Sequence, residues 1–298
     1  MGRGDISSDG EPPMRDRSFA PGRMLVYLVV SLVAAAYLVP LIVVVLNSLR
    51  SNEEIAQTSM IGWPRQWAFG NYLTAWSRFC VAQTCAGIRP YMLNSALVTI
   101  PATILSTLLG AVAGYAVSLW RFRGDRWIYG VVTLGIFLPQ QMRLLPWTIV
   151  LRDIGLINTL LGLVMIHTIQ GLSFTTLFCR NYYVAVPQEL IRAARIDGAG
   201  FYRIFWRIIL PLSPPILIVT VIWQFTHIWN EFLYGVTFTT GQQQPVTAAL
   251  IALSAAVADI PQHGVQSAAV MIAALPTLLV YLLGGRYFVR GLTAGAVK

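Results

Sequence analysis

The chain has 298 residues, 56% of them hydrophobic and 11% charged, whereas soluble domains carry about 25% charged residues. Its mean hydropathy is +0.64, so lipid must cover most of its folded surface, and one helical bundle fits the length better than two soluble domains of about 150 residues each. The net charge is +9, and every basic residue except Lys298 is Arg. These charges stand at the ends of apolar runs, not along one continuous basic face. They therefore read as orienting charges, and nucleic acid is excluded as a partner.

Residues 1–23 are polar, mix both signs of charge and include Pro12, Pro13 and Gly22. This composition predicts a disordered cytoplasmic tail. Six apolar runs follow, each near the roughly 20 residues that a helix needs to cross hydrocarbon: residues 24–46, 91–120, 127–145, 154–179, 212–234 and 265–285. The first is too long for a signal-peptide core and is expected to be a retained span. The third carries Pro139 and Arg143, the fourth begins near Asn158, and the fifth carries Glu231 near its end. No run alternates as a barrel strand would. The expectation is an all-α membrane protein with six spans in one domain, residues 24–298.

With the N-terminus placed inside, fifteen basic residues fall in inner segments. Six fall in outer ones: Arg50, Arg65, Arg78, Arg89, Arg143 and Arg152. This asymmetry places both termini in the cytoplasm, and the chain is expected to be a multi-pass protein of a bacterial or archaeal cytoplasmic (inner) membrane. The long outer connection, residues 47–90, holds Trp63, Trp67, Tyr72 and Trp76, either as interfacial anchors or as contacts for an external protein. It also holds Cys80 and Cys85. Only the outer side is oxidising, so the two form either a small-loop disulfide or a pair of buried thiols. No His stands at ligand spacing to the three cysteines, so no metal site is expected.

The inner connection at residues 181–211 is the most informative stretch. It reads Pro187-Gln188-Glu189-Leu190-Ile191-Arg192-Ala193-Ala194-Arg195-Ile196-Asp197-Gly198-Ala199. Pro187 can open a helix, and Glu189 suits its first turn. Leu190, Ala193, Ala194 and Asp197 share a face at i, i+3, i+4 and i+7. Glu189 and Arg192 form an i,i+3 pair on its flank. Gly198 can take the positive φ that stops the helix. The segment at 201–209 follows, with Phe201, Ile204, Phe205 and Ile208 on one face and Arg203 and Arg207 on the other. That pattern suits a helix lying in the interface.

This segment resembles the EAA loop of ABC importer permeases, Pro-x-Glu-Leu-x-Glu-Ala-Ala-x-x-Asp-Gly-Ala followed by an aromatic stretch ending in Leu-Pro. Pro187, Glu189, Leu190, Ala193, Ala194, Asp197, Gly198, Ala199, Leu210 and Pro211 match it, and Arg192 stands where the family has Glu. Residues 154–159 and Trp229-Asn230-Glu231-Phe232 resemble the sugar-importer branch. The tail Arg290-Gly291-Leu292-Thr293-Ala294-Gly295 is similar to that of the maltose-type second permease. The Cys80/Cys85 loop and the run 222–229 look most like glucose/mannose-type permeases.

The resemblance implies a type I ABC importer permease fold. It also implies a coupling helix in which Glu189, Arg192, Ala193, Ala194, Asp197 and Gly198 dock on an ATPase subunit, with Thr293, Ala294 and Gly295 reaching the same partner. The implied assembly is a heterodimer with a second permease, an ATPase dimer that holds ATP and Mg, and an external sugar-binding protein. The chain would then bind no cofactor of its own.

Within the spans, Trp223, Gln224, His227 and Asn230 fall along one side of a helix at i, i+1, i+4 and i+7. They suit either a sugar or polar contacts between helices. Glu231, costly in hydrocarbon, either faces a cavity or a neighbouring helix or reaches the outer interface. His167 reads first as a hydrogen-bonded core residue, and Gly110 with Gly114 as a close-packing stripe.

The chain lacks a Gly-x-x-x-x-Gly-Lys-Ser/Thr loop, so ATP hydrolysis by that route is excluded. No cluster suited to membrane-embedded catalysis is present either, so no catalytic residue is expected. The expected function is a transport subunit that moves sugar at the expense of a partner's ATP. The competing class is an ion-coupled secondary transporter, which would need paired intramembrane charges or matched broken helices.

Overall fold

The computed structural model describes residues 21–59, 61–80, 85–120, 122–256 and 262–293, and among these every regular element is helical. The elements in chain order are α1 Pro21–Ser48, α2 Asn52–Gln57, α3 Gly70–Ser77, α4 Arg89–Tyr115, α5 Asp125–Phe137, α6 Leu144–Asp153, α7 Leu160–Tyr183 and α8 Gln188–Ile196. Then come α9 Phe201–Ile204, α10 Leu210–Leu212, α11 Pro214–Asn230, α12 Leu233–Phe238, α13 Val246–Ala256 and α14 His263–Thr293. A π turn, Ala116–Trp120, extends α4, and another, Phe205–Ile209, joins α9 to α10. The expected tail lies outside the described residues up to position 20, and residues 21–23 already belong to α1.

Two compact units divide at Val43 and Val44. In the first, α1 carries an apolar surface that suits lipid, with Met24, Tyr27 and Tyr37 exposed. The second unit, from Val44 onward, holds three buried clusters. Its central contact is between α4 and α7. A Cβ on Gly110 would stand 2.4 Å from the Thr175 Cβ, and one on Gly114 would stand 2.8 Å from the Cys179 Cβ. Two backbones this close leave no room for larger residues, which is how small-residue stripes hold helices together in lipid.

Among the described residues four helices are long and apolar enough to cross a membrane, or five if the bent pair Phe201–Leu212 and Pro214–Asn230, which turns by 82°, counts as one span. In the third expected run, residues 127–145, no single helix covers the stretch. There α5 has 13 residues, or about 20 Å of rise, against a hydrocarbon thickness of about 30 Å. Leu138 is extended, with ψ 121°, ahead of Pro139, as the steric demand of proline on the preceding residue requires. A 3-10 turn, Gln140–Arg143, then leads into α6. The helix of the fourth run starts at Leu160, beside the expected Asn158, because Gly155 (φ 70°) and Asn158 (φ 57°) turn the chain first. Thr159 then caps α7 by accepting from the Gly162 N–H at 3.1 Å. The fifth run breaks at Glu231, whose backbone is extended at ψ 128°.

The outer connection is knitted around Arg50, which is 1% exposed. Its Nε lies 3.2 Å from Glu54 Oε1, and its Nη1 donates to Asn47 Oδ1 at 3.1 Å and to the Ser59 carbonyl at 3.0 Å. Asn71 donates to the Ser48 and Arg50 carbonyls, and the Gly264 N–H donates to Asn52, tying α14 to this hub. Arg50, counted from sequence among the free outer charges, is thus an internal strut. Glu54 accepts from the Arg65 backbone N–H, and that bond, helped by the Arg50 guanidinium against the opposing effect of burial, holds its carboxyl below the usual Glu range. Cys80 and Cys85 are joined by a disulfide, and Cys179 is a buried free thiol.

Candidate functional site

Two places gather the residues singled out in the sequence. The first is the knob formed by α8 and the turn after it. Ile191 and Ala194 are buried in a cluster with Tyr115 of α4, Cys179 and Tyr183 of α7, Ile204 and Phe205. The Tyr115 ring centroid lies 4.8 Å from that of Phe201 and 5.7 Å from that of Phe205. Segment 201–209 therefore turns Ile204 and Phe205 into the protein core, where an interfacial helix would have left them against lipid.

At the end of α8, Gly198 has φ 78°, and the N–H groups of Asp197 and Ala199 return to the Ala193 and Ala194 carbonyls. A side chain at Gly198 would strain that turn. Ala194 corrects the expected docking face, because it packs inward. The exposed face carries Leu190, Ala193 and Ile196, flanked by Glu189, Arg192 and Asp197, and Ile196 is 86% exposed. Arg192 donates to Gln188 Oε1 at 3.4 Å, and no ion pair with Glu189 forms among the described residues. Of the tail residues, Thr293 ends α14, while Ala294 and Gly295 lie outside the described residues.

The second place is where α11 breaks. A cavity of about 540 Å³ is lined by Gln140, Gln141, Trp223, Thr226, His227, Asn230, Glu231, Phe232, Leu233 and Tyr281. Beside it, sharing Trp223 and His227, is one of about 100 Å³ that adds Arg143, His167, Gln170 and Phe174.

Glu231 lines the larger cavity, its side chain only 6% exposed. Its carboxylate accepts from the Tyr234 N–H at 3.0 Å, capping α12, and from Gln140 Nε2 at 2.6 Å. His167 Nε2 lies 3.9 Å away. Three elements thus converge on one acid, as a buried carboxylate requires. Of the alternatives open in the sequence, the inter-helix position beside a cavity is the one found.

The four residues read on one side of α11 separate. Trp223, His227 and Asn230 line the larger cavity. Gln224 is 1% exposed and donates to the Gly171 carbonyl at 2.7 Å and to Thr175 at 3.1 Å, which makes it a strut between α11 and α7. Phe174 stacks on Trp223 at 3.6 Å, and His227 lies parallel to Trp223 at 4.9 Å. The indole is therefore held in a stack of rings and lines the cavity from within that stack.

Gln140, Gln141, Arg143, Gln170 and Tyr281 were not singled out as site residues from sequence. The signal was present: two amides and an Arg directly after Pro139, and an amide in an otherwise charge-free span. Among the described residues no group of three or more His, Cys, Asp or Glu could hold a metal ion.

Residues 106–293 match the family described as the binding-protein-dependent transport system inner membrane component. A probable ABC transporter permease protein of Pyrococcus horikoshii is 38% identical over 95% of this chain and 99% of its own length. The diacetylchitobiose uptake system permease protein of Streptomyces coelicolor is 33% identical over 95% of this chain and 90% of its own length. Among solved structures, a bacterial ABC transporter involved in the import of the acidic polysaccharide alginate has a chain that superposes with a TM-score of 0.77. That chain is 19% identical, and the match covers 93% of this chain and all of the other. This last likeness concerns the fold.

Proposed function

The chain belongs to the binding-protein-dependent transport system inner membrane components, and from that premise we propose that it moves a sugar across the membrane as one half of a two-permease pore. It is a multi-pass inner-membrane protein and a permease subunit of an ABC importer, a transport subunit and not an enzyme. The sugar assignment is supported by the uptake named for the relatives and by the cavity at the α11 break. There Gln140, Gln141, Asn230 and His227 offer donors and acceptors that hydroxyl groups need, beside an aromatic wall. Trp223, His227, Asn230 and Glu231 are assigned to the path, with Gln224 holding α11 against α7 behind it.

One observation carries the mechanism: α8 is bolted to the spans on one side and bare on the other. The Ile191 and Ala194 side shares a core with α4 and α7, while Leu190, Ala193 and Ile196 stand free. An ATPase subunit gripping the free side can move the spans, because the buried side transmits displacement as a packed body. Glu189, Arg192, Ala193, Asp197 and Gly198 form or shape the docking knob, and Thr293, Ala294 and Gly295 are assigned to the same partner. ATP and Mg reside on the ATPase dimer, a second permease completes the pore, and an external binding protein delivers the sugar.

The test is uptake by proteoliposomes holding the complete assembly, with ATP inside and every ion gradient collapsed. Sugar accumulation under those conditions is expected. Accumulation that needs an ion gradient and ignores ATP would make the chain an ion-coupled carrier. Gly198→Pro, which cannot hold φ 78°, is expected to abolish ATP-driven uptake while the protein still inserts.

A further inference from the structure

Beside the free face of α8 is a cavity of about 240 Å³ lined by Leu119, Trp120, Gln188, Ile191, Arg192 and Arg195. Among the described residues, two guanidinium groups border it and no carboxylate does. They are not equivalent. Arg195 is pinned, its Cζ 4.2 Å from the centre of the Trp120 ring and its Nη2 donating to the Leu119 carbonyl at 3.4 Å. Among the described residues Arg192 has the neutral Gln188 oxygen at 3.4 Å as its hydrogen-bond partner, and its side chain is exposed. A guanidinium has five N–H donors in a fixed fork that matches a carboxylate, so most of Arg192's capacity is open.

We propose that this cavity receives an Asp or Glu side chain of the ATPase subunit, with Arg192 as its counter-ion and Arg195 as a fixed second charge. The inference rests on the reading of α8 as the docking knob. It adds the sign of the contact, since the resembling permeases carry Glu at this position. The occupant is a protein carboxylate because Arg192, at the cavity rim, stands one turn before Ile196, the large apolar side chain that α8 leaves 86% exposed. A partner that covers that ridge therefore brings its own side chains to the arginines. An apolar ridge with a charge at its rim is the usual anatomy of a protein contact, the rim charge setting register and partner choice.

The experiment uses the co-expressed assembly. Arg192→Glu and Arg192→Gln are compared with the unaltered chain for retention of the ATPase subunit on purification and for ATP-driven uptake. Arg192→Glu is expected to weaken retention by about tenfold or more, and Arg192→Gln by less. One Asp or Glu of the ATPase contact face, changed to Arg, is expected to restore the Arg192→Glu assembly. Normal retention and uptake by Arg192→Glu would overturn the proposal, as would a failure of every such acid-to-Arg change to restore it. Binding of inorganic phosphate or anionic vesicles that Arg192→Glu abolishes while the ATPase stays bound would assign the cavity to a free anion or lipid headgroup instead. Cross-linking from Ile196→Cys to the ATPase separates the two levels. A cross-link with normal Arg192→Glu retention keeps the docking knob and removes the acid pair, whereas no cross-link removes the knob itself.

Discussion

The outer connection around Arg50 and the inner knob at α8 are both polar excursions from an apolar bundle, and they handle their charges in opposite ways. Arg50 is buried and surrounded by Glu54, Asn47, Thr58 and the Ser59 carbonyl. Arg192 is exposed and has one long contact to a neutral amide. The outer connection meets the Arg50 guanidinium with its own Asn47, Glu54 and Ser59 and is stapled by a disulfide. The inner knob buries one side of a helix and leaves Leu190 and Ile196 uncovered. A surface that exposes large apolar side chains around an open cation is half of a contact.

Ways to break this comparison rank by size. Arg50→Ala should have the largest effect on the fold. Removing one partner of a buried ion pair costs about 3–5 kcal/mol, so the unfolding midpoint of the purified chain in detergent should fall markedly. A drop no larger than that of a surface Arg such as Arg152→Ala would mean the hub is not a strut. Next comes Gly114→Leu, which must force α4 and α7 apart. Overpacking costs about 1–3 kcal/mol or more, and the yield of folded protein should fall with the midpoint. Cys80→Ser removes a loop closure worth about 2 kcal/mol by chain entropy; reductant should lower the midpoint of the unaltered chain and leave that of the variant where it is.

The smallest effect is that of acid. The Glu54 carboxyl is held below its usual range in the fold, so its contribution is present above the ordinary Glu range. It is lost as the pH falls through the lowered folded value. Glu54→Gln should flatten that part of the stability profile. An unchanged profile would show that the Arg65 and Arg50 contacts do not stabilise the ionised form.

Much of this was legible in the residues. Glycines at 110 and 114 mark a close crossing because only a residue without Cβ permits it, and the structure places Thr175 and Cys179 against them. Pro187 and Gly198 bracket α8 as the rules of helix ends require. Other features depend on tertiary direction, which periodicity does not carry. Ala193 and Ala194 differ by about 100° around the helix, so one faces out and the other in, and only the position of Tyr115 and Tyr183 decides which.

The same holds for Trp223 and Gln224, adjacent in sequence and divided between a cavity wall and an inter-helix strut. Arg50 looked like a loop charge because its partners at 47, 54, 58 and 59 form a cage only after the chain turns back on itself. The short third run was visible as Pro139 inside an apolar stretch. Its consequence, the Gln140 amide brought to Glu231, needed a partner 91 residues away.

The central claim is that the free side of α8 is where force from ATP enters the spans. Ile196→Asp tests it most directly, because this side chain is 86% exposed and its loss leaves the buried side intact. In proteoliposomes with the complete assembly, an unchanged unfolding midpoint is expected together with loss of ATP-driven sugar uptake. Uptake at the unaltered rate by the stable Ile196→Asp chain would contradict it.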